Sequence, residues 1–80
     1  MSKLYELNKA FGKMLKEKRE SRNFTQSYLA QKSGLSRSYI SNLEVGAQDP
    51  SINTIFLLAQ TLNVKPSVLI DTLEEKDNLF

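Results

Sequence analysis

Between Thr25 and Gly46 the chain writes two short helical segments around Gly34, and no other stretch restricts its fold as tightly. Gly34 follows the last helical residues of the first segment, where the chain reversal asks for a positive φ that glycine adopts at little cost. Thr25 is placed to cap that segment, with Gln26 in its opening turn among unpaired backbone N–H groups that suit an anion. Leu29 faces inward, and Ala30 beside it is small enough to let another helix approach closely. Leu35 is expected to plug the gap between the segments. Ser36 caps the second segment, which runs from about Arg37 to Val45 with Ile40 and Leu43 turned inward. Its remaining surface falls to Arg37, Ser38, Tyr39, Ser41 and Asn42, nearly all hydrogen-bonding groups.

Outside this window the chain reads as further helices with short connections and no strand. Leu4, Leu7, Phe11, Met14 and Leu15 recur at three- and four-residue spacing, so a first helix is expected over about residues 3–22. Arg19 continues that apolar stripe and needs a partner, because a partly buried unpaired charge costs several kcal/mol. Asn23 and Phe24 make the first connection, with Phe24 turned into the core. The next helices are expected over about residues 25–33, 36–45, 51–62 and 66–73. Ser51 caps the fourth, whose broad apolar face comprises Ile52, Ile55, Phe56, Leu58, Ala59 and Leu62. Pro66 opens the fifth, where Leu69 closes the core. Phe56, Ile70 and Leu73 are assigned to an isologous dimer interface, since two-fold symmetry reuses one apolar surface on both chains. Residues 74–80 are expected to form a frayed acidic tail.

Eighty residues allow one domain, small enough for self-association to help it. Residues 1–40 carry nine Lys/Arg against three Asp/Glu, and residues 41–80 carry two against six. A basic half of net +6 joined to an acidic half of net −4 suits a chain that lays one face on phosphates. Lys9, Lys13, Lys16 and Lys18 belong to that basic half, and each alone reads equally well as a solvated helix face. Cysteine and histidine are absent, and there is neither a phosphate-cradling glycine loop nor an inward carboxylate pair, so no enzyme, metal site or cofactor is expected. No apolar run approaches the roughly 18 residues of a membrane span, and no signal peptide opens the chain. A soluble, cytoplasmic protein is the expectation.

The pattern T-Q-x-x-L-A-x-x-x-G-L-S-x-x-x-I-S-x-x-E-x-G, followed by Pro50-Ser51, resembles the phage-repressor type (Cro, cI or xenobiotic-response-element type) of helix-turn-helix domain. The likeness covers about Phe11 to Leu69 and includes Gln26 and Glu44, which no packing rule demands. It implies an all-α, compact five-helix bundle of the lambda-repressor-like kind, in which the second and third helices form the motif. It also implies that Arg19 pairs with Glu44, since the family commonly places an arginine and a glutamate there, and that the third helix enters the DNA major groove by its N-terminal half.

Arg37 is the leading base reader, because its planar fork suits guanine O6 and N7. Ser38, Tyr39 and Asn42 join it as candidate base contacts. For Tyr39, a contact with a thymine methyl or a phosphate stands beside simple rest on the protein surface. Phosphate contacts are expected from Asn23, Thr25, Gln26, Ser36, Ser41, Gln48, Ser51 and Thr54. Asp49 departs from the family's usual basic or amide residue in this loop and is left out of the site. A homodimer on a near-palindromic operator follows, with RNA polymerase a further partner for an activator and no small-molecule effector.

Within the family the R-S-Y-I-S stretch and compact size look like restriction-modification controller proteins, and small phage or plasmid repressors fit almost as well. An antitoxin-like or adaptor module for protein interaction is the alternative from another class.

Overall fold

The computed structural model describes residues 3–77, and among them five helices account for all regular structure: α1 Lys3–Ser21, α2 Gln26–Ser33, α3 Arg37–Glu44, α4 Ile52–Leu62 and α5 Pro66–Asp77. α1 packs on α3 and α5, α2 packs on α3 and α4, and α4 closes against α5. One core fills the middle. Phe11, Met14 and Leu15 of α1 meet Leu29, Ile40, Leu43, Leu58, Leu62 and Leu69 there.

Each short helix starts at a side-chain cap. Thr25, Ser36 and Ser51 hold extended backbone conformations, and their hydroxyl oxygens accept from the N–H groups of Tyr28, Tyr39 and Thr54 at 3.0 Å each. Gly34, at φ 80°, ends α2 in the left-handed region and donates its N–H to Ala30 O at 3.0 Å. Leu35 then packs against the core as expected.

Three expectations are corrected. The periodicity of α1 placed Leu4 on the inward stripe, but it lies exposed, and burial begins at Ala10. Ile52 is exposed as well, so the buried face of α4 is narrower than its composition suggests, while the exposure of Phe56 agrees with its assignment to an interface. α5 runs past Leu73 to Asp77, where a frayed tail was expected, because Glu and Lys favour helix even where no apolar residue marks one. Residues 78–80 lie outside the described residues.

Candidate nucleic-acid interface

The third helix is held firmly at its C-terminal end. Arg19, only 8% exposed, presents its guanidinium edge to Glu44, with Nε donating to Oε2 at 2.6 Å and one terminal nitrogen to Oε1 at 3.0 Å. Its other terminal nitrogen donates to the Phe24 carbonyl at 2.8 Å, which fixes the turn between α1 and α2. The pair expected from family resemblance is therefore present in bidentate form. The hydrogen bonds that Arg19 donates to Glu44 raise its pKa above the ordinary value against the opposing effect of burial, so the guanidinium stays charged.

Gln26 adds a third member that sequence reasoning did not foresee. Its amide nitrogen donates to Glu44 Oε1 at 2.9 Å. The side chain assigned to a phosphate is thus committed to the clamp, joining the first turn of α2 to the last turn of α3. With the Glu44 side chain 3% exposed, a carboxylate surrounded by three N–H donors explains why an amide follows Thr25.

Glycine 12 was also missed. A Cβ built there would lie 2.3 Å from Leu43 O and 2.6 Å from Glu44 O, so the backbones of α1 and α3 touch directly. A glycine inside an amphipathic helix is quiet in a hydropathy pattern, and only its cost relative to alanine signals a reason for it. One turn earlier, Asn8 donates to the Asp49 carboxylate. Asp49 is therefore tied to α1, which explains its presence in a loop where a negative charge looked out of place.

The outer face of α3 divides in two. Arg37 and Ser38 are exposed and Ser41 and Asn42 half-buried, and none of the four side chains makes a hydrogen bond or ion pair among the described residues. Tyr39 differs. Its hydroxyl lies 3.1 Å from Thr54 Oγ1 and donates weakly to the Asp49 carbonyl at 3.4 Å, while Ser51 donates to Thr54 Oγ1 at 2.9 Å. A consistent proton order runs from Ser51 through Thr54 and Tyr39 to the Asp49 carbonyl, with each hydroxyl donating once. This joins α3 to the start of α4.

Of the two Tyr39 alternatives, rest against the protein surface is the arrangement found in the free chain, where the hydroxyl is engaged by the start of α4. The assignment of Thr54 is corrected. It is 5% exposed with its hydroxyl inside the chain, so it cannot reach a phosphate. Ser51 remains exposed, but its hydroxyl proton is committed to Thr54, leaving the backbone N–H groups at the start of α4 to meet an anion. Asn23 adopts φ 60° in the connection after α1 and is exposed, as are Thr25, Ser36 and Gln48.

The interface residues also separate. Phe56 and Ile70 are 57% and 40% exposed. Leu73 is buried in the monomer core at 7%, so its assignment to a dimer surface is corrected: the α5 face that carries Leu69 carries Leu73 one turn later. Ile52, one turn before Phe56 on α4 and 70% exposed, extends the available apolar surface.

Comparisons with known proteins agree on this architecture. The family model described as helix-turn-helix matches residues 15–69. The immunity repressor protein of Bacillus phage phi105 is 36% identical over 59 residues, which span 74% of this chain and 41% of the repressor. The chain thus spans less than half the length of that relative. Among solved structures, the restriction-modification controller protein C.AhdI from Aeromonas hydrophila superposes with a TM-score of 0.76 at 37% identity, covering 78% of this chain and 94% of C.AhdI. The controller protein C.Esp1396I, solved as a tetramer in complex with its natural 35 base-pair operator, gives 0.77 at 31% identity over 84% of this chain and 88% of its own.

Proposed function

Because the chain belongs to the helix-turn-helix family, we propose that it is a sequence-specific regulator of transcription that binds double-stranded DNA and is not an enzyme. The observation that carries the proposal is the division of α3: Arg37 and Ser38 stand exposed and, among the described residues, unbonded at one end while Glu44 is clamped at the other. Recognition needs side chains free to bond base edges on a helix that is not free to move.

In this scheme the N-terminal half of α3 enters the major groove. Arg37 donates two hydrogen bonds to guanine, Ser38 contacts a neighbouring base, and Asn42 reaches a base if the helix sits deeply. Thr25, Ser36, Ser41, Asn23 and Gln48 position the domain on phosphates, aided by backbone N–H groups at the starts of α2 and α4. Two chains associate through Phe56 and Ile70, with Ile52 at the margin, and set their recognition helices about one DNA turn, roughly 34 Å, apart. The likeness to C.AhdI and to operator-bound C.Esp1396I supports a controller of a restriction-modification system acting in the cytoplasm. The phage phi105 repressor, at 36% identity, favours a phage-type repressor as the second reading.

Selection of bound sites from random duplexes tests the proposal in one experiment. The expected outcome is a near-palindromic site containing guanine in each half, with affinity that falls steeply as salt rises. Binding with no preference among sequences would instead support a protein-interaction module. Sedimentation of the Phe56→Glu variant checks the dimer, which should dissociate while the monomer stays folded.

A further inference from the structure

We infer that Gly12 is a specificity-determining positioning residue: by letting α1 and α3 meet backbone to backbone, it sets how deeply and at what angle the recognition helix is presented to DNA. This rests on the proposed DNA-binding role and assigns a determinant within it that touches no DNA.

Asn8, Gly12 and Arg19 lie on one stripe of α1, since steps of four and seven residues return to nearly the same helical face. Each meets the end of α3 or the loop after it, Asn8 at Asp49, Gly12 at Leu43 and Glu44, and Arg19 at Glu44. Arg19 and Asn8 hold this end through side-chain bonds, which fix where it lies along α1 but not how closely the two helices approach. The Gly12 contact is between main chains and cannot yield. A methyl group there would sit 2.3 Å from Leu43 O, so the helices would have to part by roughly 1 Å to reach ordinary contact distance. With Arg19 holding Glu44 from one side, that displacement tilts α3 about the ion pair and carries its free N-terminal end with it. Arg37 lies seven residues from Glu44, about 10 Å along the axis, so a shift at the seat reaches the base-reading end. A tolerance of about 0.5 Å is what a preorganised polar contact allows.

The same glycine is unfavourable for α1 itself, because alanine makes a better helix interior. Its presence at the contact with α3 is therefore explained by that helix and not by α1.

The test uses the full chain with Gly12→Ala, the duplex recovered by site selection and a scrambled duplex of equal length, at a temperature where circular dichroism shows complete folding. Affinity for the selected duplex is expected to fall about ten-fold with scrambled-duplex affinity nearly unchanged, and repeat selection should return a relaxed half-site. Amide resonances of residues 37–42 in the free protein should move. Ile55→Ala, which loosens the core on α4, serves as the stability control and should keep the wild-type ratio of specific to nonspecific binding. An unchanged ratio and half-site in Gly12→Ala, or an equal loss in Ile55→Ala, overturns the inference. Should Gly12→Ala fail to fold, Asn8→Ala carries the test at the same seat: a loss of selectivity of about three-fold supports it, and wild-type selectivity overturns it. A wild-type chain with no sequence preference overturns the regulator assignment itself, whereas a preference that survives the substitutions overturns only the role of Gly12.

Discussion

The two ends of α3 are built on opposite plans. At the C-terminal end, Glu44 accepts three N–H groups from Arg19 and Gln26, Gly12 lies against the main chain, and little is left for solvent. At the N-terminal end, Ile40 and the Tyr39 ring rest on the core, the Ser36 cap and the Tyr39 hydroxyl supply the side-chain hydrogen bonds, and Arg37 and Ser38 project without a partner among the described residues. Rigidity and reactivity toward a partner are thus separated along one eight-residue helix. The clamp keeps the helix from moving, and the open end retains the hydrogen-bonding capacity that the clamp has used up elsewhere.

The largest effect should come from breaking the closed end. Glu44→Ala leaves the buried Arg19 guanidinium without its carboxylate, and removal of one partner from a buried pair costs about 3–5 kcal/mol. Urea unfolding should show that loss as a lower midpoint with little change in slope. An Arg19→Met, Glu44→Leu double variant should recover much of it, because an apolar replacement leaves no charge stranded. Equal destabilisation in single and double variants would mean that the clamp contributes through packing alone.

At the open end the order of effects reverses. Arg37→Ala should leave unfolding nearly unchanged, since the side chain is exposed and bonds to nothing among the described residues. Its cost should appear in binding, as about 1–3 kcal/mol of discrimination at one base pair with nonspecific affinity largely kept. Competition between duplexes that differ at each position in turn would measure it. Uniform weakening across all duplexes would reassign Arg37 to a phosphate.

Tyr39→Phe probes the boundary between the two ends. Loss of the hydroxyl removes a bond to buried Thr54 and should cost about 1 kcal/mol of stability. Base preference should not change if the ring and hydroxyl serve the α3–α4 junction only. Thermal unfolding and duplex competition on one variant separate the two outcomes.

The sequence made the open end easier to foresee than the closed one. Arg37, Ser38 and Asn42 lie off the inward register of Ile40 and Leu43, so pattern marked them as outer-face residues, and residue type together with the family resemblance made them candidate base readers. The caps at Thr25, Ser36 and Ser51 and the turn at Gly34 were legible as well, because each depends on neighbours within four residues. Gln26 to Glu44 and Gly12 to Leu43 span 18 and 31 positions, and neither amide nor glycine announces a distant partner. Arg19 was the exception, because a charge on an apolar stripe demands one. Thr54 was misassigned, and the Tyr39 hydroxyl's bond to it went unforeseen, because a helical register gives direction from the axis but not which neighbouring helix stands in the way. Leu73 failed likewise, since an apolar residue near a chain's end fits a core and an interface equally well by pattern.

The smallest effect offers the sharpest separation at the open end. Ser36 accepts the Tyr39 N–H at 3.0 Å and begins α3, yet it is exposed, so its hydroxyl proton is available to a phosphate. Glycine is tolerated at a helix N-cap at a cost of only a few tenths of a kcal/mol, against about 1 kcal/mol for alanine. Ser36→Gly and Ser36→Ala therefore remove the same hydroxyl but differ in what they do to the helix. If the hydroxyl bonds a phosphate, both variants should lose the same modest affinity for every duplex, with an unchanged salt slope because no charge has been removed. If Ser36 acts only as a cap, Ser36→Gly should bind like the wild type and Ser36→Ala should bind worse in proportion to its loss of stability. Titration of both variants against one duplex at several salt concentrations decides between a contact made at the open end and a helix merely started there.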